Sequence, residues 1–160
     1  MSGLPPGLLL FDTGIYIRFS RQERYLWLGE DGRVFQRTIL TAVVAAELYA
    51  GTRDTSEKRA LDQLCQAHLT LNHFSYPSAS TWIDTGTLLC RARGTMGQMD
   101  FVGHFRDLLI TLEAARADAT LVTENFRDFE RWKRLLASTG KNSEAIQSNV
   151  NRGLRSKPPA

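Results

Sequence analysis

Residues 8–13 read Leu8-Leu9-Leu10-Phe11-Asp12-Thr13, and this stretch decides the fold. A half-exposed strand alternates apolar and polar residues. Four apolar residues in succession read instead as a strand buried on both faces, the habit of a parallel sheet. Asp12 then stands at the carboxyl end of that strand, where open parallel sheets bind their ligands.

Working outward, short strand-like runs recur at Thr38–Thr41, Leu71–Tyr76 and Thr120–Thr123. Longer helical stretches separate them. Ile15–Arg24 is the first, then Ala42–Tyr49 ending at Gly51, then Ser56–Leu69 with Ser56 as cap and Ala60, Leu61, Leu64, Cys65 and Leu69 as an apolar stripe. Ser80–Arg93 closes at Gly94, a loop covers Thr95–Gly103, and Phe105–Ala117 and Arg127–Ala137 complete the set. Short strands alternating with helices predict an α/β domain, a central mostly parallel sheet with helices on both faces in three layers.

A length of 160 residues fits one such domain. Residues 1–7 read as a loose leader, 8–140 as the domain, and 141–160 as a polar, basic C-terminal tail without structure of its own. The 42% hydrophobic content suits a chain with a core. Its apolar runs are too short to cross a bilayer, so no membrane is expected. The start of the chain lacks a basic segment before its apolar run, which speaks against secretion. Cys65 and Cys90 form neither a disulfide framework nor a cysteine-rich zinc motif, and they suit a reducing cytoplasm. His68, His73 and His104 lack zinc-ligand spacing. Arg outnumbers Lys 16 to 4, and residues 127–160 hold eight of the 20 basic residues but three of the 17 acids. That excess reads either as a solvated surface with a tail or as a nucleic-acid footprint.

Four acids occupy unusual contexts. Asp12 follows the first strand; Glu47 sits in the apolar helix Ala42-Val43-Val44-Ala45-Ala46-Glu47-Leu48; Asp107 opens Asp107-Leu108-Leu109-Ile110; Asp128 follows Asn125 by three residues. Taken singly, three have plain structural readings. Asp12 reads equally as a helix N-cap, Asp107 as a first-turn acid favoured by the helix dipole, and Asn125 with Asp128 as a capping box. Glu47 resists such a reading, because a buried unpaired Glu is rare. Together the four point to a hard divalent cation, since clustered buried carboxylates repel one another unless neutralised. Mg²⁺ or Mn²⁺ prefers oxygen ligands; either acidifies water and offsets charge growing on a phosphate. Glu113, six residues after Asp107, points about 120° away round a helix and reads as facing solvent or a partner, a reserve candidate only. Glu124 and Thr123 are neighbours at a strand end and cannot both face one site. Trp27, Trp82 and Trp132 read as core or interface packing rather than base-stacking platforms.

In these segments the chain resembles the PIN-domain nucleases, and among them the VapC-like toxins of toxin–antitoxin modules. The resemblance is carried by Phe11-Asp12-Thr13, Glu47-Leu48-Tyr49-Ala50-Gly51, Asp107-Leu108-Leu109-Ile110 and Thr123-Glu124-Asn125-Phe126-Arg127-Asp128-Phe129, and it spans residues 8–132. It implies a single PIN-like domain whose metal-binding and catalytic acids are Asp12, Glu47, Asp107 and Asp128, supported by Thr13, Thr123 and Asn125. It further implies Mg²⁺- or Mn²⁺-dependent cleavage of RNA, a homodimer, and a small antitoxin that blocks the site. By charge, Arg91, Arg93, Arg127 and Arg131 are candidates for guiding the RNA backbone; Arg131 also reads as an ordinary helix-surface residue. The chain departs from the pattern at Gly14, at Thr111-Leu112-Glu113, and in lacking a clear strand after the last helix. The alternatives are a PIN nuclease with another task, such as RNA maturation or DNA-structure cleavage, and a non-catalytic binding module of the same fold.

Overall fold

The computed structural model of the protein describes residues 4–30, 32–96, 100–139 and 150–151. Five strands form one sheet: β1 (Leu9–Phe11), β2 (Thr38–Thr41), β3 (Phe74–Ser75), β4 (Thr120–Val122) and β5 (Val150–Asn151), in the order β3-β2-β1-β4-β5. Every pairing is parallel. Leu9 of β1 faces Thr38 on one side and Thr120 on the other, and Phe11 faces Val122. Leu9, Leu10, Leu40 and Leu121 are fully buried, as the unbroken apolar runs require.

Among the described residues, seven helices flank the sheet in a three-layer α/β/α arrangement: α1 (Thr13–Ser20), α2 (Gly32–Gln36), α3 (Ala42–Ala50), α4 (Thr55–Thr70), α5 (Ala79–Met96), α6 (Phe101–Arg116) and α7 (Phe126–Ser138), with a 3-10 turn at Leu26–Gly29. Alpha-helices α1 and α3 pack together, as do α3 and α4; α6 packs on both α5 and α7. The last helix explains its own placement: Phe129, Trp132 and Leu136, spaced three and four apart, are its buried stripe. Among the described residues, no helix is long and apolar enough to cross a membrane.

The chain departs from its sequence reading at several boundaries. Helix α5 continues through Gly94, which keeps a helical backbone and meets nothing where a Cβ would stand. Helix α6 begins at Phe101, so part of the expected 95–103 loop is helix; its residues 97–99 lie outside those described. Asp54, not Ser56, caps α4, accepting the Glu57 N–H at 2.8 Å. The strand expected over Leu71–Tyr76 shortens to two residues, and Leu69 is exposed. Val150–Asn151 pairs with β4 in register with Leu121 and Val122, so the stretch after Gly140 does carry a strand; the rest of the expected tail lies outside the described residues.

The strand order matters for function. The chain lays β1, β2 and β3 outward in one direction, then returns to place β4 on the other side of β1. The connections after β1 and β4 therefore leave in opposite senses, which makes the carboxyl ends of these two strands the switch point at which open parallel sheets bind their ligands.

Candidate active site: a carboxylate cluster at the switch point

Asp12 stands at that switch point. It caps α1 by accepting the Thr13 N–H at 2.7 Å with Oδ1, while its Oδ2 accepts the Thr123 hydroxyl at 2.8 Å. Capping and site membership are thus not alternatives, since one oxygen serves each. Burial pushes the Asp12 carboxyl up; the Thr123 and Thr13 hydrogen bonds pull it back, and the Glu47 and Glu124 charges raise it further.

The network extends in both directions. The Thr13 hydroxyl donates to Glu47 Oε2 from α3, and Glu47 Oε1 takes the Arg106 guanidinium at 2.5 Å from α6. On the other side Thr123 Oγ1 accepts the Asn125 N–H at 2.9 Å, and the Asn125 side-chain amide donates to Asp128 Oδ2 at 2.8 Å. Arg131 lies 3.9 Å from Asp128 Oδ1. Asn125 makes no side-chain cap to the backbone of α7, so the capping-box reading fails; its amide orients the acid instead.

Asp107 adjoins Arg106 on α6. Because α6 starts at Phe101, Asp107 lies in the body of the helix, and the first-turn dipole reading does not apply. Burial pushes its carboxyl up to about 7, with the charges of Asp12, Asp128 and Glu47 adding to the rise and Arg106 opposing it. The charges of all three other acids therefore act on Asp107. The four side chains predicted to converge share one electrostatic neighbourhood, drawn from β1, α3, α6 and α7.

Other expectations divide. Glu124 turns away from Thr123, as strand alternation requires, and binds Arg18 at 2.6 Å, Arg24 at 3.0 Å and the Tyr25 hydroxyl at 2.5 Å. Glu113 does not face solvent. It is 7% exposed on α6, its carboxyl raised by burial, with the Ser75 hydroxyl alongside but in no well-shaped hydrogen bond. None of the four clustered acids is among the charges that act on it, so it lies apart from them. Trp132 is core and Trp82 is 48% exposed, tilted against Phe105; the Trp27 side chain lies outside the described residues. Arg127 is exposed in the first turn of α7 and Arg91 and Arg93 on α5, and among the described residues no contact joins these three to the cluster.

Arg106 is the member that sequence reasoning missed. An Arg beside an Asp on a helix carries no signal of its own. Its role appears only when the fold brings α3 against α6, and Glu47 then proves to be a paired acid rather than a lone one.

The donor set is all oxygen, which suits a hard divalent cation better than zinc. Among the described residues, no three Asp, Glu, His or Cys side chains stand as a preformed metal-binding group. Thr13, Thr123, Asn125 and Arg106 instead hold the carboxylates. The raised Asp107 is the observation that fits a missing positive charge: three acids act on it, and Arg106 alone among its main influences opposes them. No family model matches the chain, and no curated protein or solved structure matches it either.

Proposed function

We propose that the protein is a PIN-like, metal-dependent endoribonuclease, the toxin of a toxin–antitoxin module acting in the cytoplasm as a homodimer and restrained by a small antitoxin. The observation that carries this reading is the gathering of four acids about the switch point of a parallel sheet, where Thr123 holds Asp12, Thr13 holds Glu47, Asn125 holds Asp128, and the charges of these three push the Asp107 carboxyl up. So costly a concentration of acid has no structural benefit that a hydrophobic or amide side chain would not supply better. Perturbed groups gathered in a crevice mark functional sites.

Asp12, Glu47, Asp107 and Asp128 would hold Mg²⁺ or Mn²⁺. When bound, such a cation acidifies water and offsets the charge growing on a cleaved phosphodiester. The protein's own groups prepare for it. Thr123 and Thr13 fix the rotamers of Asp12 and Glu47, and Asn125 fixes Asp128, so little side-chain freedom remains to be lost on binding. With the Asp107 carboxyl pushed up to about 7, a bound cation, which favours the carboxylate, would compete with its proton near that pH and so couple cation affinity to pH. Arg106 keeps Glu47 neutralised meanwhile. With its side chain 49% exposed, it presents a guanidinium that an entering phosphate can take over.

The test is cleavage of unstructured RNA by the purified chain with Mg²⁺ or Mn²⁺, beside Asp12→Asn and Asp107→Asn. Cutting that requires the cation and falls at least a hundredfold in both variants is expected. Cutting that survives chelator, or that both variants retain, refutes the assignment. DNA-structure cleavage with the same acid dependence would shift the task but keep the chemistry, and no cleavage of either polymer would favour the non-catalytic module.

A further inference from the structure

Two arginines outside the charge pattern read from the sequence meet beside the carboxylate cluster. Arg18 on α1 donates through Nε to one Glu124 oxygen at 2.6 Å, and Arg24, from the loop after α1, donates through Nη1 to the other at 3.0 Å. The Tyr25 hydroxyl shares that second oxygen. Glu124 follows Thr123, whose hydroxyl holds Asp12, and the Glu124 charge is felt at Asp12. Arg106 lies the other way from Asp12, reached through Thr13 and Glu47. Guanidiniums thus stand at both ends of one run of contacts, with Asp12 in its middle.

The loop that delivers Arg24 is tightly wound. Gln22 and Tyr25 are both left-handed, with φ of 55° and 61°, a conformation that residues other than glycine seldom adopt. The Glu23 and Arg24 N–H groups donate to the Arg18 carbonyl at 2.9 and 3.3 Å, so the chain turns back on the end of α1. Burying Tyr25 accounts for that turn, and the Tyr25 hydroxyl would hold Glu124 without help. Two guanidiniums on the same carboxylate leave an excess of positive charge, and exposed ion pairs add little stability.

Both guanidiniums still face water. Their side chains are 41% and 45% exposed, and among the described residues neither Nη2 donates a hydrogen bond. Arg18 Nη1 also reaches Glu23 at 3.0 Å, an exposed pairing that a phosphate can displace. A planar fork fixed at one corner by a carboxylate presents its remaining N–H groups in the geometry that phosphate oxygens take. An RNA strand drawn toward four acids needs such cations beside them, because its own charge repels theirs. We propose that Arg18 and Arg24 form a subsite for one phosphodiester of the RNA strand next to the one that is cut, with Glu124 and Tyr25 holding the two guanidiniums in place. The subsite rests on the nuclease reading for the identity of its ligand.

The experiment measures binding of a short unstructured RNA to the Asp12→Asn chain, in which cutting is blocked, over a range of salt concentrations. Adding Arg24→Gln should weaken binding about tenfold and lower the slope of log Kd against log salt by about 0.7, the share of one single-strand phosphate contact. Arg24→Lys keeps the charge and should restore that slope. RNAs with one uncharged methylphosphonate linkage, moved along the strand, supply a readout that a purely structural role would not change. At one position the neutral linkage should cost the Asp12→Asn chain about tenfold and cost the chain that also carries Arg24→Gln less than twofold. Affinity and slope unchanged by Arg18→Gln with Arg24→Gln, in a chain that binds RNA, overturn the subsite and leave the nuclease reading standing. So does a methylphosphonate penalty that is the same with and without Arg24. Loss of affinity for polyglutamate with RNA affinity intact would assign the pair to an acidic protein partner and overturns it too. Absence of RNA binding by the Asp12→Asn chain overturns both readings.

Discussion

The Thr123 hydroxyl donates to Asp12 Oδ2 at 2.8 Å, tying the end of β4 to the end of β1 across the sheet's switch point. The Thr123 Oγ1 also accepts the Asn125 N–H, so one buried side chain sets both the rotamer of Asp12 and the turn into α7.

Thr123→Val keeps the shape of this side chain and removes both bonds. Asp12 then loses a partner in a buried setting, and the Asn125 N–H loses its acceptor. A loss of about 1–3 kcal/mol in unfolding free energy is expected, since a stranded buried polar group costs more than the bond itself is worth. Thr123→Ser retains the hydroxyl and should recover most of that loss. Urea denaturation reads the stability, and RNA cleavage should follow the same order, with Ser near the parent and Val well below it.

Much of this was legible from the residues. Leu8–Phe11 announced a doubly buried strand because an apolar run this short that ends in an acid leaves no length for a helix, and Thr38–Thr41 matched its strand end for end. Asp12 was legible because an acid ends an otherwise apolar strand. Helix boundaries were less so. Gly94 looked like a stop, but its backbone does not turn left-handed and the helix runs on to Met96. Asp107 looked like a first-turn acid because Phe101–Arg106 has no clear period of its own; the helix extends there through packing of Phe101 and Phe105 together and of Phe105 on Trp82. The Glu47–Arg106 pair was illegible in principle. It joins residues 59 apart in sequence through the packing of two helices, which no local pattern reports.

Asp107 should make the protein less stable as pH rises. Its carboxyl titrates at about 7 when folded, against an ordinary value of 3.8. Between these values the folded state holds a proton that the unfolded state has lost, so stability is full below about pH 4 and declines until about pH 7. After allowance for solvent screening of a partly exposed group, the decline from this residue is on the order of 2 kcal/mol. Asp107→Asn should flatten that segment of the stability–pH curve and be the more stable protein at pH 8. Mn²⁺ should recover the parent's lost stability at pH 8 and leave the variant nearly unchanged. Denaturation midpoints from pH 4 to pH 8 check the sign.

Arg106→Gln releases Glu47 from its guanidinium. The Arg106 charge and a divalent cation compete for the same carboxylate oxygens, so the variant should bind Mn²⁺ several-fold more tightly at low ionic strength. RNA binding should move the other way, because a cation facing the phosphate is gone. Calorimetric titration with Mn²⁺ alone, and RNA binding by the Asp12→Asn background in which cutting is blocked, measure the two effects separately. Weaker Mn²⁺ binding in Arg106→Gln would mean that the guanidinium orients Glu47 for the metal rather than excluding it.

Glu113 separates burial from function. It is more enclosed than the cluster acids, which are half-buried, and burial raises its carboxyl in the same direction as that of Asp107. Yet Asp12, Glu47, Asp107 and Asp128 are absent from the charges acting on it; its surroundings are the Ser75 hydroxyl and Arg116. The nearby Arg116 guanidinium is engaged elsewhere, donating to Ser78 at 2.6 Å and to Asp84 at 3.2 Å. A carboxylate so placed loses solvation without gaining a strong ion pair, and Gln, of equal size, avoids that loss. Glu113→Gln should therefore stabilise the protein at pH 8 by about 1 kcal/mol, with the gain vanishing at low pH where the acid is already protonated. RNA cleavage should remain within twofold of the parent. A large fall in cleavage by a folded Glu113→Gln would enrol a fifth acid in the site and require α6 to present both carboxylates to the same substrate, which their 120° separation round the helix opposes.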